Sequence, residues 1–239
     1  VDSFSDVFVV CKKCKKPGKV DKSELGKKKC ENCDGEYDDA NAKDFKLMFE
    51  TIVGQNDKGY LRPETAQLIF ADFKLVQDNA RMKLPFGIAQ VGKAFRNEIA
   101  PRDFLFRSRE FEQMEMQFFV DPDKLNDCQE HNKIKNKKIS ILDADGKESI
   151  LEIDEMVSKG IFKNKWHAYW LSYSYQWFLG LGIRKENLRL REHHKGELAH
   201  YANAAVDIEY KFPSGWREIF GSHDRGQFDL GEHEKYSKK

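Results

Sequence analysis

Two sets of residues have the types and spacing to do chemistry. The first is Cys11-Lys-Lys-Cys14 followed, after fifteen residues, by Cys30-Glu-Asn-Cys33. Two residues between thiolates let each pair curl into a knuckle. Two knuckles present four sulfurs at the corners of a tetrahedron, the arrangement zinc prefers. Such a site is structural, because four sulfurs leave no open position for a substrate. The competing readings are two disulfides, which a cytosolic setting disfavours, and two redox pairs, which would need a surrounding βαβ pattern. Cys128 stands apart and reads as an ordinary thiol. The second set is Arg107, Arg109, Phe111, Gln113 and Glu115. On a strand these project from one side, while Met114, Met116, Phe118 and Val120 project from the other and are expected to cover the core. The row suits a nucleotide: guanidiniums match phosphate oxygens, a Phe ring can stack on a purine, and a carboxylate can hold an amino group. Arg96 and Glu98, at the end of the partner strand, add another phosphate fork and an acceptor. The competing reading is a solvent-washed face of salt bridges.

Positioning these side chains requires a scaffold, and its elements are legible in outline. Gly87 to Phe95 and Arg107 to Val120 read as an antiparallel hairpin joined through Pro101-Arg-Asp103. Arg62-Pro63-Glu64 reads as the opening of a helix whose core face is Ala66, Ile69, Phe70 and Phe73. Asp38 to Asp44 reads as a linker, closing a zinc-ribbon-like module over residues 1–44. Residues 45–121 then form a first part of a catalytic core, 122–163 a charged, irregular peripheral insertion, and 164–239 the remainder of the core. Trp166, Tyr169, Trp170, Tyr173 and Trp177 recur at helical spacing and are expected to face the core, with Gly180 and Gly182 as the stop. A short strand at Leu188 to Arg191, a helix near Glu197 to Ala205, and a hairpin flanking Pro213-Ser-Gly215 complete the α+β pattern.

Composition excludes several classes. Lys plus Arg total 41 against 40 Asp plus Glu, so the net charge of +1 gives no whole-surface attraction to DNA, RNA or anionic lipid. Any polyanion must be met locally. The lysines at 15, 16, 19, 22, 27, 28 and 29 could touch RNA phosphates, or could form a solvated rim around the metal module. No apolar run approaches the roughly 20 residues that cross a bilayer, and the first residues have no signal-peptide pattern, so the expectation is a cytoplasmic protein with no membrane partner. His193, His194 and the other histidines read as ordinary polar residues.

The run Gly92-Lys-Ala-Phe-Arg-Asn-Glu-Ile-Ala-Pro-Arg102, followed by Leu105-Phe-Arg-Ser-Arg-Glu-Phe-Glu-Gln-Met-Glu115, resembles motif 2 of the class II aminoacyl-tRNA synthetases, specifically the dimeric glycyl-tRNA synthetases. Further blocks are similar in the same order: Phe4-Ser-Asp6, Tyr60-Leu-Arg-Pro-Glu-Thr-Ala-Gln67, Glu186-Asn-Leu-Arg-Leu-Arg191, Glu197-Leu-Ala-His-Tyr201, Asp207-Ile-Glu-Tyr210, and Gly215-Trp-Arg-Glu218 through Asp224-Arg225 to Asp229-Leu230. The resemblance implies a class II antiparallel sheet flanked by helices with an N-terminal zinc-ribbon-like insertion. It implies an ATP-dependent ligase that converts glycine to glycyl-adenylate and transfers it to tRNA(Gly), with Mg2+ as cofactor and a homodimer for the full-length family. The implied catalytic residues are Arg96 and Arg107. The implied ATP contacts are Arg96, Asn97, Glu98, Phe106, Arg107, Ser108, Arg109, Glu110, Phe111, Glu218 and Ile219. The glycine site falls on Glu64, Phe111, Glu112, Gln113, Met114 and Glu115. Structural Zn2+ would sit on Cys11, Cys14, Cys30 and Cys33.

The family's motifs 1 and 3 and its anticodon-binding domain have no counterpart in these residues, so the chain reads as the middle of a synthetase. Leu68 stands where the family usually has Gly, and Arg217 where a smaller residue is common. The alternative reading is an inactive synthetase fragment acting as an RNA-binding or regulatory module.

Overall fold

The structure is a computed structural model that describes residues 5–20, 24–99, 101 and 106–237. Expectations resting on Phe4, Lys22, Ala100, Arg102, Asp103 and Leu105 lie outside the described residues. The chain divides into two compact units, Val1–Phe118 and Phe119–Lys239. Among the described residues no helix is long and apolar enough to cross a membrane.

In the first unit β1 (Ser5–Val10) pairs antiparallel with β2 (Pro17–Val20) on one side and β3 (Lys43–Lys46) on the other. Their core is small: Val7, Val9, Val20 and Tyr37, with Cys11 and Cys30. β3 contains Lys43 and Asp44, which pair with Phe8 and Val7, so the end of the expected linker is a strand of the ribbon sheet. A hairpin follows, β4 (Glu50–Val53) and β5 (Asp57–Tyr60), whose turn uses Gly54 at φ 63°. Helix α1 spans Ala66–Ala80 and buries Ala66, Ile69 and Phe70, while Phe73 stacks on Phe86 with ring centroids 5.6 Å apart. It begins later than the Pro63-Glu64 pattern suggests, for a reason given below. β6 (Phe86–Phe95) and β7 (Glu110–Phe119) pair into a two-stranded sheet.

The second unit is a five-stranded sheet of order β12-β11-β10-β8-β9, built from β8 (Lys138–Leu142), β9 (Glu148–Glu152), β10 (Leu188–Glu192), β11 (Ala204–Phe212) and β12 (Gly215–Asp224). All pairings are antiparallel except β8 with β10, where Ile141 lies beside Leu190. Residues 122–163 are therefore not a mere peripheral insertion. Ile139 and Ile141 from β8, and Ile153 and Met156 from α2 (Ile153–Ser158), join Phe162, Leu188, Leu190, Val206 and Ile208 in one core. The charge of the segment masked this, because only the alternate residues Ile139 and Ile141 of β8 are fully buried.

Helix α3 (Lys165–Gly180) is capped by Asn164, whose side-chain oxygen accepts the His167 N–H at 2.9 Å. Its buried face is His167, Ala168, Leu171, Ser172 and Tyr175, and of the aromatic stripe only Tyr169 packs against the edge of the core. Tyr173 is 56% and Trp177 52% exposed. The small side chains of Ala168 and Ser172 leave room for close packing, whereas the stripe's rings stack edge-on among themselves, as in Tyr169 on Trp170 at 5.2 Å. The helix expected near Glu197 is a series of turns, since the Glu197 carboxylate clasps Arg191 and the His194 N–H. The hairpin around Pro213-Ser-Gly215 forms, with a bulge between Ile208 and Glu209, and α4 (Phe228–Ser237) ends the unit.

Ile141→Ala should cost about 2–5 kcal/mol in chemical denaturation, the range for a truncated core aliphatic. Ile150→Ala, at a side chain 66% exposed, should stay within about 0.5 kcal/mol.

Candidate active site and four-cysteine cluster

The polar row survives on β7, but its cover is not what alternation alone suggests. Phe111, Gln113, Glu115 and Gln117 form the more buried side, while Met114 on the opposite side is 77% exposed. The methionine face is thus largely open, because residues 62–65 lie across the polar face. Thr65 is fully buried; its N–H donates to Gln113 Oε1 at 3.1 Å and its hydroxyl to Glu115 Oε2 at 2.7 Å. Gln117 Nε2 donates to Glu115 Oε1 at 2.7 Å, so both carboxylate oxygens are held. With residues 62–65 tied to the strands, α1 starts at Ala66, and the Thr65 hydroxyl at its N-cap position bonds the strand instead of capping the helix.

Arg96 joins the same neighbourhood. Its Nε donates to Pro63 O at 3.1 Å, and its guanidinium lies 5.4 Å from the Phe111 ring centroid. Its backbone N–H donates to Arg109 O, and Arg109 Nε donates to Glu98 O at 3.1 Å. Arg62 Nε donates to Lys93 O at 2.7 Å, crossing β6 above Gly92, where a Cβ would fall 2.2 Å from the Arg62 guanidinium. Thr65 and Arg62 were missed as site residues; Thr before a helix signals only a cap. Glu64 is less engaged, accepting from Gln67 at 3.2 Å on the surface.

Other expected members lie elsewhere. β7 begins at Glu110, so Arg107 and Arg109 precede the strand instead of extending its row. Arg107 lines a shallow pocket with Lys19, Lys28 and Glu31 of the cysteine module. Phe106 is exposed, and the Ser108 hydroxyl donates to Glu110 O at 3.1 Å. Glu110 and Glu112 share the Met114 side, with Glu110 paired to Lys93. Asn97 is tied to Lys46 and Leu47 carbonyls.

Glu218 and Ile219 belong to the second unit, on β12. There the register sets Arg189, Glu209 and Glu218 in one row and Arg191, Asp207 and Gly221 in the next. Arg189 donates to Glu209 at 2.7 Å and lies 4.3 Å from the Trp216 ring. Buried Asp207 accepts from His193 at 2.6 Å, a bond that holds the His193 pKa above its ordinary value. Gly221 lets Glu218, Asp207 and His223 close in, each within about 3.3 Å of where a Cβ would stand.

The four cysteine sulfurs all lie within 4.8 Å of one another, the one such group of potential metal ligands among the described residues. None is in a disulfide. Cys11 Sγ is 3.5 Å from Cys33 Sγ, and Cys14 Sγ 3.6 Å from Cys30 Sγ. The knuckles are matched: Lys15 N–H donates to Cys11 O and Asp34 N–H to Cys30 O, and both Lys15 and Asp34 have left-handed φ, 59° and 53°. The Cys14 N–H on Cys11 Sγ, 3.4 Å away, helps draw that thiol's pKa down to about 6.

The sequence over residues 45–214 matches the tRNA synthetase class II core domain (G, H, P, S and T), and the chain belongs to that family. Antiparallel sheets with flanking helices are its architecture here, apart from the one parallel pair. Among individual proteins, it is 43% identical over 244 residues to the "Glycine--tRNA ligase" of Borrelia hermsii (strain HS1 / DAH), covering 100% of this chain and 46% of that protein. The corresponding protein of Treponema denticola is 40% identical over 246 residues, with 100% and 46% covered. That of Acetivibrio thermocellus is 39% identical over 269 residues, with 100% and 50% covered. The chain thus spans about half the length of the curated relatives it matches.

Thr65→Val keeps the volume but strips the hydroxyl from Glu115. It should lower stability by about 1 kcal/mol in urea unfolding, the net worth of a hydrogen bond to a half-buried carboxylate.

Proposed function

We propose that this chain carries the adenylate-forming portion of a glycine–tRNA ligase. ATP and glycine would give glycyl-adenylate and pyrophosphate, and the glycyl group would pass to the terminal ribose of tRNA(Gly). The observation that carries this reading is the Glu115 carboxylate, held on both oxygens on the same face of β7 as the Phe111 ring, over which the Arg96 guanidinium lies. The relatives' names support the choice of glycine and tRNA. In this reading Arg96 grips the α-phosphate, Phe111 stacks on adenine, Glu98 accepts from the adenine amino group, and Glu115 with Glu64 holds the glycine ammonium. Magnesium would neutralise phosphate charge. No protein nucleophile is needed: attack of the glycine carboxylate on the α-phosphorus builds charge on phosphate oxygens, which a fixed guanidinium stabilises. The Thr65–Glu115–Gln113 cluster makes the amino-acid end polar, and in this reading alanine would be rejected by steric exclusion.

Zinc is the proposed occupant of the four-sulfur cluster, in a structural role. The donor set and its closeness fit a tetrahedral ion, and the ribbon's own apolar core is too small to hold three short strands alone.

Arg96→Ala in the full-length protein should reduce glycine-dependent pyrophosphate exchange by at least about 10²-fold with the fold retained. Unchanged exchange would remove the phosphate role. Metal analysis should find one zinc on these thiolates, and Cys14→Ser should release it. Amide exchange over β1 to β3 should then rise while β10 to β12 stay protected; equal protection in both forms would dismiss a structural ion.

A further inference from the structure

Thr65 is held through its N–H, its hydroxyl and its carbonyl, and one of the groups holding it has no part in the proposed chemistry. From β7, Gln113 accepts the Thr65 N–H at 3.1 Å and Glu115 accepts the hydroxyl at 2.7 Å. From β6, in the amide orientation that satisfies both of its neighbours, Gln90 donates to the Thr65 carbonyl at 3.2 Å and accepts from Arg62 Nη1 at 3.1 Å. Gln90 is half-buried and shares its side of β6 with Gly92. An amide can turn either end to a neighbour; a guanidinium, which only donates, fixes which end that is. Arg62 is anchored for this task. Its Nε donates to Lys93 O at 2.7 Å, its carbonyl accepts the Phe95 N–H at 2.9 Å, and its guanidinium lies over Gly92, where a Cβ would fall 2.2 Å from Nη2. One chain of bonds thus runs from Arg62 through Gln90 and Thr65 to Glu115.

We infer that Gln90, its amide fixed by Arg62, is a positioning residue for the amino-acid end of the site. Thr65 reaches Glu115 from the start of α1, so the placement of Thr65 sets the direction from which that carboxylate is held. Gln113 ties Thr65 to β7, and Gln90 adds the tie to β6, which leaves Thr65 fixed against both strands. Thr65 also follows Glu64, the other carboxylate proposed to meet the glycine ammonium. The phosphate end is held by other bonds: Arg96 donates to Pro63 O and Arg109 O, neither of which the Gln90 amide touches. Loosening Thr65 is therefore felt by glycine and not by ATP. This inference rests on the ligase reading, because glycine is the ligand which that reading sets at Glu115.

The test uses the full-length protein and glycine-dependent pyrophosphate exchange, with KM measured separately for glycine and for ATP. Gln90→Met keeps the length of the side chain and removes both bonds of the amide. It should raise the glycine KM by about 5- to 10-fold, the scale of one lost hydrogen bond, with the ATP KM within about twofold. Gln90→Glu keeps the acceptor for Arg62 but sets an oxygen against the Thr65 carbonyl, and should raise the glycine KM at least as far. Gly92→Ala, whose methyl displaces the guanidinium, should shift it in the same direction. A glycine KM equal to wild type in both Gln90→Met and Gln90→Glu would overturn the assignment. So would a parallel rise in both KM values, which marks a loosened sheet. If Gln90→Met does not fold, Gln90→Glu and Gly92→Ala carry the same test. Wild-type protein without any glycine-dependent exchange would instead overturn the ligase reading, and this role with it.

Discussion

A carboxylate on the face of a two-stranded sheet has to be held, and the grip on Glu115 organises the first unit. Thr65 reaches one oxygen from the start of α1 and Gln117 reaches the other from the same strand. That requirement draws residues 62–65 across the sheet, sets where the helix can begin, and brings the Pro63 carbonyl within reach of Arg96. Gly92 is part of the same constraint, since any side chain there would collide with Arg62. A half-buried carboxylate with both oxygens satisfied has little freedom to reorient.

The second unit solves a different problem. Its sheet is apolar on the side that meets α2 and α3 and ionic on the other, where Arg189 and Arg191 alternate with the core residues Leu188 and Leu190. Each arginine is answered by a carboxylate, Glu209 for one and Glu197 for the other. Charge on that face is therefore compensated at short range, in keeping with a protein whose net charge is close to zero. The ribbon differs again: it has few buried apolar side chains, and its two knuckles bring four cysteine sulfurs together beside them.

Much of the candidate site was readable from residue types. The cysteine spacing anticipated four converging sulfurs, and the alternation of Phe111, Gln113 and Glu115 anticipated a shared face. The misreadings share a cause, which is that periodicity identifies a face without saying what lies against it. The aromatic stripe of α3 outweighed Ala168, Leu171 and Ser172 in hydrophobicity, yet the smaller residues pack against the core because close approach rewards them. Likewise Met114 and Met116 had the apolar character of a core face, but the buried side of β7 is the one that Thr65 covers. β8 and β9 were hidden in a charged segment because a strand needs only every second residue to be apolar.

The sequence alone determined what is local: the paired cysteines, the hairpin around Pro213 and Gly215, and the two-sided character of β7. Spacing within a few residues is a property of the chain, and backbone geometry translates it directly into direction. Tertiary structure decided which partner each side chain meets, because that depends on residues distant in sequence: Thr65 with Glu115, Ile141 with Leu190, Arg96 with Pro63. Those pairings form where burial and hydrogen bonding outweigh local preference, and no short window of sequence contains both members.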